Sequence, residues 1–121
     1  MKIAREDMPI YLVDRDLPGV TLVELAKAQR RLLAAVGRTA QAGQAVRYLH
    51  STFVPGESHL MCLFEASSAA VVMKVNEAAR FPLLRVIEAL DVTPQGLRSS
   101  DLAKARHVDR EPPIREKAKW R

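Results

Sequence analysis

The sequence has few of the features on which several common protein classes depend. Its single cysteine, Cys62, cannot form a disulfide within the chain, and no CxxC pair is present to hold a structural zinc. No apolar run approaches the roughly 20 residues of a membrane-spanning helix, and residues 1–8 lack the apolar segment of a secretory signal. These absences predict a cytoplasmic protein with no membrane partner and no internal disulfide.

Positive charge is concentrated toward the end of the chain. Of the 19 Lys and Arg residues eight lie in 97–121, but only four of the 14 Asp and Glu residues do, so most of the net charge of +5 belongs there. We therefore predict a lead-in at 1–8, one nearly neutral domain at 9–93 and a basic, flexible tail at 94–121. Nucleic acid is not expected as a partner, because strand 59–65 lacks the signature and exposed basic residues of an RNA-recognition motif, and only the charge of the tail favours it.

Hydrophobic periodicity and turn residues predict six elements in the order β-α-β-β-α-β. The first helix starts at a capping box made by Thr21 and Glu24, and Ser67 or Ser68 caps the second. The strands are predicted at 9–16, 46–54, 59–65 and 83–92. This order is typical of a ferredoxin-like α+β fold, with a four-stranded antiparallel sheet and both helices on one face.

The central hairpin concentrates the chemistry of the chain, since it holds two of the three His residues and the cysteine. If the loop residues 55–58 are unpaired, Val54 lies opposite His59, and Cys62 falls on the helix-covered face. The same register places Leu49 with Phe64 on the covered face. It places Tyr48, His50 and Glu65 on the other face, and it leaves His59 exposed at the tip.

Three of the predicted strands are apolar at almost every position, namely 10–13, 60–64 and 83–90. Such strands are expected where both faces of a sheet are covered, and two helices cover only one face. A second copy packed sheet against sheet about a two-fold axis would cover the other. We therefore predict a homodimer.

Four segments resemble a bacterial family of small ferredoxin-like proteins, a domain of unknown function that includes a nickel-binding, nickel-responsive actinobacterial protein. They are PIYLVDR at 9–15, VRYLHS at 46–51, MCLFEASS at 61–68 and FPLLRVIE at 81–88. The resemblance covers about residues 9 to 92. It implies a homodimeric assembly of the dimeric α+β barrel kind, no established catalysis and metal binding in at least one member.

Three residues match short motifs of that family. His50 stands in a W/Y-x-H-S pattern, and Cys62 and Glu65 stand in a C-x-[YF]-E-A pattern. His50 and Glu65 are the candidate metal ligands, because imidazole and carboxylate together suit Ni²⁺ and related ions. Two alternatives remain: His50 as a hydrogen-bonding residue of a dimer interface, and Glu65 as a charge near a helix N-terminus.

The sequence provides no recognisable catalytic set. Asp14, Asp16 and Glu88 are carboxylates without a spacing diagnostic of acid–base catalysis. The favoured hypothesis is a non-enzymatic homodimeric binding protein for nickel, another transition metal or a small molecule. The alternative is a small dimeric α+β barrel enzyme, of the cofactor-free monooxygenase or isomerase type, with a pocket near His50.

Overall fold

The computed structural model describes residues 8–97, Leu102 and residues 114–115, and the predicted order of elements is present in them. The lead-in up to residue 7 and most of the predicted tail lie outside the described residues, so the predicted flexibility of the tail does too. The elements are β1 (Ile10–Asp16), α1 (Leu22–Gln41), β2 (Val46–Val54), β3 (His59–Ala66), α2 (Ala69–Ala78), β4 (Arg85–Ala89) and β5 (Ile114–Arg115).

The described strands form one antiparallel sheet in the order β2-β3-β1-β4-β5. Its first four strands and the two helices confirm the predicted ferredoxin-like architecture. The two-residue β5 was not predicted and extends the sheet beside β4 from within the segment assigned to the tail. Both helices pack on the face that carries Val13, Cys62 and Phe64, which we call the helix face. The opposite side, with Leu12 and Leu63, is the open face.

Helix α1 begins at the predicted capping box. The Thr21 hydroxyl accepts a hydrogen bond from the Glu24 N–H at 3.1 Å, and the Glu24 carboxylate accepts one from the Thr21 N–H at 2.9 Å. Leu22 and Leu33 follow the helical spacing of apolar residues in the sequence, but they are 73% and 46% exposed. The helix buries a narrower stripe instead, made of Ala28, Leu32 and Ala35.

The hairpin register agrees with the prediction from Val54 as far as His50 and then changes. Val54 pairs with His59 and Ser51 with Cys62, as expected. At Leu49 a β-bulge inserts one unpaired residue, so Tyr48 rather than Leu49 lies opposite Phe64. The Tyr48 and Phe64 rings meet edge to face on the helix face, with their centroids 5.6 Å apart. The prediction that Leu49 pairs with Phe64 and that Tyr48 lies on the other face was therefore wrong, because the bulge places Tyr48 on the helix face.

The core lies between the helix face and the two helices. Fully buried side chains of β1, β3 and β4 meet those of α2, which include Val72 and Val75. Helix α2 begins at Ser68, whose hydroxyl accepts from the Val71 N–H. Among the described residues, neither helix has the combined length and apolar character needed to cross a bilayer.

Candidate functional site

His50 lies on the open face, as predicted, at the exposed edge strand β2. Its side chain is 57% exposed, and its Nε2 lies 3.9 Å from the Asp91 Oδ1. Asp91 follows β4, which is three strands away from β2 in the sheet. The chain after β4 must therefore cross the open face to bring the two side chains together.

Glu65 lies on the same face of the neighbouring strand, but its carboxylate is already engaged. Arg47, directly opposite on β2, donates from its Nε to Glu65 Oε1 at 3.0 Å. The Glu65 side chain is 6% exposed and that of Arg47 is 46% exposed. A metal ion would therefore have to compete with Arg47 for this carboxylate. Among the residues that the structure describes, no group of three or more His, Cys, Asp or Glu side chains is arranged to hold a metal.

The prediction that the His59 imidazole is exposed at the hairpin tip was wrong. Its side chain is 22% exposed and lies between two carboxylates of β1. The Nδ1 is 3.0 Å from Asp16 Oδ1, and the Nε2 is 2.5 Å from Asp14 Oδ1 in an ion contact outside hydrogen-bond geometry. Arg85 of β4 donates from Nε to the other Asp14 oxygen at 3.0 Å. We call Asp14, Asp16, His59 and Arg85 the charged cluster.

The hydrogen bond to Asp16 raises the pKa of His59, and the nearby Asp14 carboxylate acts in the same direction. Partial burial opposes this shift but does not cancel it. A protonated imidazole donates from both ring nitrogens, which suits a position between two carboxylates. When His59 is protonated, the cluster contains two negative and two positive groups, and none of its members is a nucleophile.

Only part of the charged cluster has a signal in the sequence. Asp14 and Asp16 are two residues apart on a strand, so they share a face. In a ferredoxin-like sheet β1 lies beside β3, and the actual register places Asp16 directly opposite His59. The sequence did not provide the register between β1 and β3, which decides that His59 lies opposite Asp16.

Arg15 is a buried charged residue that the sequence analysis did not single out. It is wholly buried on the helix face, and burial lowers the pKa of its guanidinium. Its Nη1 donates to the Phe81 and Pro82 carbonyls at 3.0 and 3.3 Å, and its Nη2 donates to Asn76 Oδ1 at 2.5 Å. The guanidinium carbon lies 3.7 Å from the centroid of the Phe81 ring. All these partners are neutral.

Cys62 lies where the sequence predicted, in the core on the helix face, and is 1% exposed. Its Sγ is 3.7 Å from Arg15 Nη2, a weak contact because a thiol is a poor acceptor. The sheet separates Cys62 from His50, which lies on the open face, so the two do not form a nucleophile–base pair.

A cavity of about 280 Å³ lies between α1 and the helix face of the hairpin. A second, of about 300 Å³, lies beside α2 and the loop that leads to β4. His50 lines neither of these two cavities, both of which are bounded by described residues. The alternative enzyme hypothesis placed a pocket near His50. The first cavity is lined by Tyr48 and Ser51, which flank His50 in the sequence, but the His50 side chain lies on the opposite face of the sheet.

Comparison with known proteins relates this chain to one family. The profile of the family described as "Nickel responsive protein SCO4226-like" matches residues 11–89. The crystal structure of SCO4226 from Streptomyces coelicolor A3(2) is similar, with 22% identity and a TM-score of 0.57 over 66% of this chain and 94% of that chain. At this identity the likeness shows the fold alone. No curated protein matches the chain. Because the family profile spans more than half of the sequence, the chain belongs to the SCO4226-like family of nickel-responsive proteins.

Proposed function

We propose that this protein is a non-enzymatic, nickel-related binding protein that acts as a homodimer, with His50 and Glu65 as metal ligands on the open face. The observation that carries the proposal is the exposed His50 imidazole with the Asp91 carboxylate 3.9 Å away. An imidazole beside carboxylates provides the N and O donors that Ni²⁺ accepts. The membership in a nickel-responsive family supports the choice of metal.

One chain offers a short ligand set. His50 and Asp91 are close enough to approach one ion together, whereas Glu65 must first release Arg47. Ni²⁺ ordinarily takes more ligands than this, so water or a symmetry-related chain must complete the set. The exposed position of His50 leaves room for both. His50, Asp91 and Glu65 would hold the metal, which would supply a positive charge to their nitrogen and oxygen donors.

The open face also supports the proposed dimer. Its central side chains are apolar and only half-buried within one chain: Leu12, Met61, Leu63 and Ile87. A two-fold arrangement lets one such surface cover an identical one, because a two-fold interface is self-complementary. Each apolar Å² removed from water contributes roughly 25 cal/mol, before the cost of association is subtracted. A second copy of this chain is therefore the occupant that we propose for the face.

Isothermal titration calorimetry with Ni²⁺ tests the metal site. We expect saturable binding to the wild type, loss of binding in His50→Ala, and weaker binding in Asp91→Asn and Glu65→Gln. His59→Ala is the matched control, since it removes an imidazole of the same hairpin whose nitrogens already face Asp14 and Asp16. Binding that survives His50→Ala unchanged would exclude His50 as a ligand.

Sedimentation equilibrium tests the dimer independently of the metal. We expect the wild type to be dimeric at micromolar concentration and Leu63→Glu to be monomeric, because the new carboxylate would be placed in the apolar centre of the interface. Leu33→Glu is the control, since it introduces the same charge on the exposed side of α1. A wild type that is monomeric would contradict the proposed assembly.

A further inference from the structure

The cavity between α1 and the hairpin has the features of a binding site rather than of a packing defect. Its volume of about 280 Å³ is close to the lower limit of ordinary ligand pockets. It reaches the surface at the start of α1, where Leu22 and Ala26 line it and are exposed. Its deeper wall is apolar and is made of Leu32, Phe53, Leu60, Cys62 and Phe81. An apolar cavity with an open mouth favours a ligand that is mainly apolar.

The cavity has one polar end, formed on β2. The Tyr48 and Ser51 hydroxyls lie 2.5 Å apart, and Gln29 of α1 donates to the Tyr48 oxygen at 3.4 Å. Each hydroxyl has a single proton, and their mutual hydrogen bond uses only one of the two. The other proton remains to be donated to a ligand. The Gln29 amide is a further donor at this end of the cavity. This end therefore suits a ligand group that accepts hydrogen bonds, and above all an anion.

Positive charge lies directly behind the wall at the same end. Ser51 is paired across the hairpin with Cys62, whose Sγ is 3.7 Å from the Arg15 guanidinium. Phe81, the other wall residue that Arg15 contacts, lies against the flat side of the guanidinium. The cation is thus separated from the cavity by a single layer of side chains.

This charge has no negative partner among the described residues. Its hydrogen-bond acceptors are the neutral groups of Asn76, Phe81, Pro82 and Cys62, and its Nε donates to none. The nearest acidic neighbours in sequence, Asp14 and Asp16, lie on the open face with His59. A buried charge that is unpaired is costly, and a nearby anion reduces that cost because the interior screens weakly.

We propose that this cavity binds a small apolar molecule that carries one negative charge, such as a carboxylate or sulfonate. The apolar part lies against Leu25, Leu32 and Leu60. The anionic group lies at the Tyr48–Ser51 end, where it accepts a hydroxyl hydrogen bond and faces the positive potential of Arg15. This site is on the opposite side of the sheet from His50, so it is independent of metal binding.

Two fluorescent probes of the same shape test the proposal: anilinonaphthalene sulfonate, an apolar anion, and N-phenylnaphthylamine, its neutral counterpart. We expect one saturable site for the anion, and Ser51→Ala to weaken the anion about tenfold while leaving the neutral probe unchanged. Ala26→Phe should remove binding of both probes, because the ring fills the mouth of the cavity. Ala34→Phe, an equal change at an exposed position of the same helix, should bind as the wild type does.

The single cysteine provides a second measurement at the same wall. Saturating anionic probe should slow alkylation of Cys62 by iodoacetamide in the wild type and in Ala34→Phe. Thermal unfolding followed by circular dichroism confirms that the two Phe variants are folded. Equal loss of both probes in Ser51→Ala would overturn the preference for an anion. If the anionic probe still binds Ala26→Phe, and does not slow alkylation of Cys62, then the probe binds somewhere other than this cavity and the proposed site is wrong.

Discussion

Asp14 and Arg15 are neighbours on β1, and the two faces of the sheet accommodate their charges in opposite ways. Asp14 points to the open face, where its carboxylate, itself mostly buried, lies beside the more exposed Arg85 guanidinium and His59 imidazole. Arg15 points to the helix face, is wholly buried, and is held by neutral acceptors alone. The same strand therefore carries a charge balanced by opposite charges and a charge balanced only by dipoles.

This difference lets us predict whether Arg15 or Asp14 contributes more to the free energy of unfolding. Ion pairs near solvent contribute little, because water stabilises the separated charges almost as well. A buried guanidinium pays a large desolvation cost, and removing it leaves its acceptors without donors. We therefore expect substitutions on the helix face to have larger effects than matched substitutions on the open face.

The largest expected effect is that of Arg15→Met, which keeps the apolar stem but removes the guanidinium. We expect the free energy of unfolding to fall by about 3 kcal/mol, because three oxygen acceptors lose their buried donor. Urea denaturation at fixed protein concentration measures this change. Arg85→Met is the matched control on the open face and should cost less than about 1 kcal/mol. Equal losses in the two variants would contradict the comparison.

Asn76→Ala should have the next largest effect. Asn76 is 1% exposed, accepts from Arg15 at 2.5 Å and donates to the Val72 carbonyl at 2.7 Å. Its loss leaves the guanidinium with one fewer partner, and we expect a cost of about 2 kcal/mol. Urea denaturation measures it, with Glu77→Ala, an exposed change on the same helix, as the reference. A cost no larger than that of Glu77→Ala would mean that the Phe81 and Pro82 carbonyls suffice for Arg15.

Asp14→Asn should destabilise the protein by about 1 kcal/mol, because it keeps the shape of the side chain but removes the anion between His59 and Arg85. The loss should shrink in high salt, since the cluster is partly accessible to solvent. Denaturation in low and high salt checks this dependence. The effect of Arg15→Met, in contrast, should not change with salt. An Asp14→Asn loss that is insensitive to salt would place its origin in packing.

The smallest expected effect is a dependence of stability on pH due to His59. Its pKa is raised in the folded protein by the Asp16 hydrogen bond and by Asp14, so the protonated form stabilises the fold. That stabilisation is complete below about pH 6.5, the ordinary value, and is lost as the pH rises through the folded-state pKa. We expect a loss of less than about 1 kcal/mol, because the cluster is partly exposed.

Urea denaturation at several pH values above and below neutrality measures the contribution of His59. His59→Gln should lack that part of the dependence, and Asp16→Asn should lack most of it, because the Asp16 hydrogen bond is the main cause of the shift. A dependence that is the same in His59→Gln as in the wild type would assign it to another group.

Much of the fold was predictable from local patterns. The Thr21–Glu24 capping box set the start of α1, and the loop at 55–58 set the hairpin register as far as His50. The alternation of faces along β3 placed Cys62 in the core. The bulge at Leu49 was not predictable, since nothing in the residues around it signals an inserted position.

The candidate site was predictable only in part. Alternation along the hairpin placed His50 and Glu65 on the open face, but not the Arg47 and Asp91 partners that they meet there. The partners of His59 and Arg15 come from strands and loops far along the chain. Arg15 and Phe81, for example, are 66 positions apart. No periodicity within one element carries information about such pairs.

The sequence by itself determined the order of the six predicted elements, the caps of both helices and the alternation of faces in the strands, because each depends on neighbours a few residues apart. The tertiary structure decided which charges meet. The alignment of β1 with β3 brings His59 between Asp14 and Asp16, and the packing of α2 encloses Arg15 beside Asn76 and Phe81. Both outcomes depend on strand register and helix packing, which no local pattern specifies, and they decide the pKa of His59 and the positive charge behind the cavity.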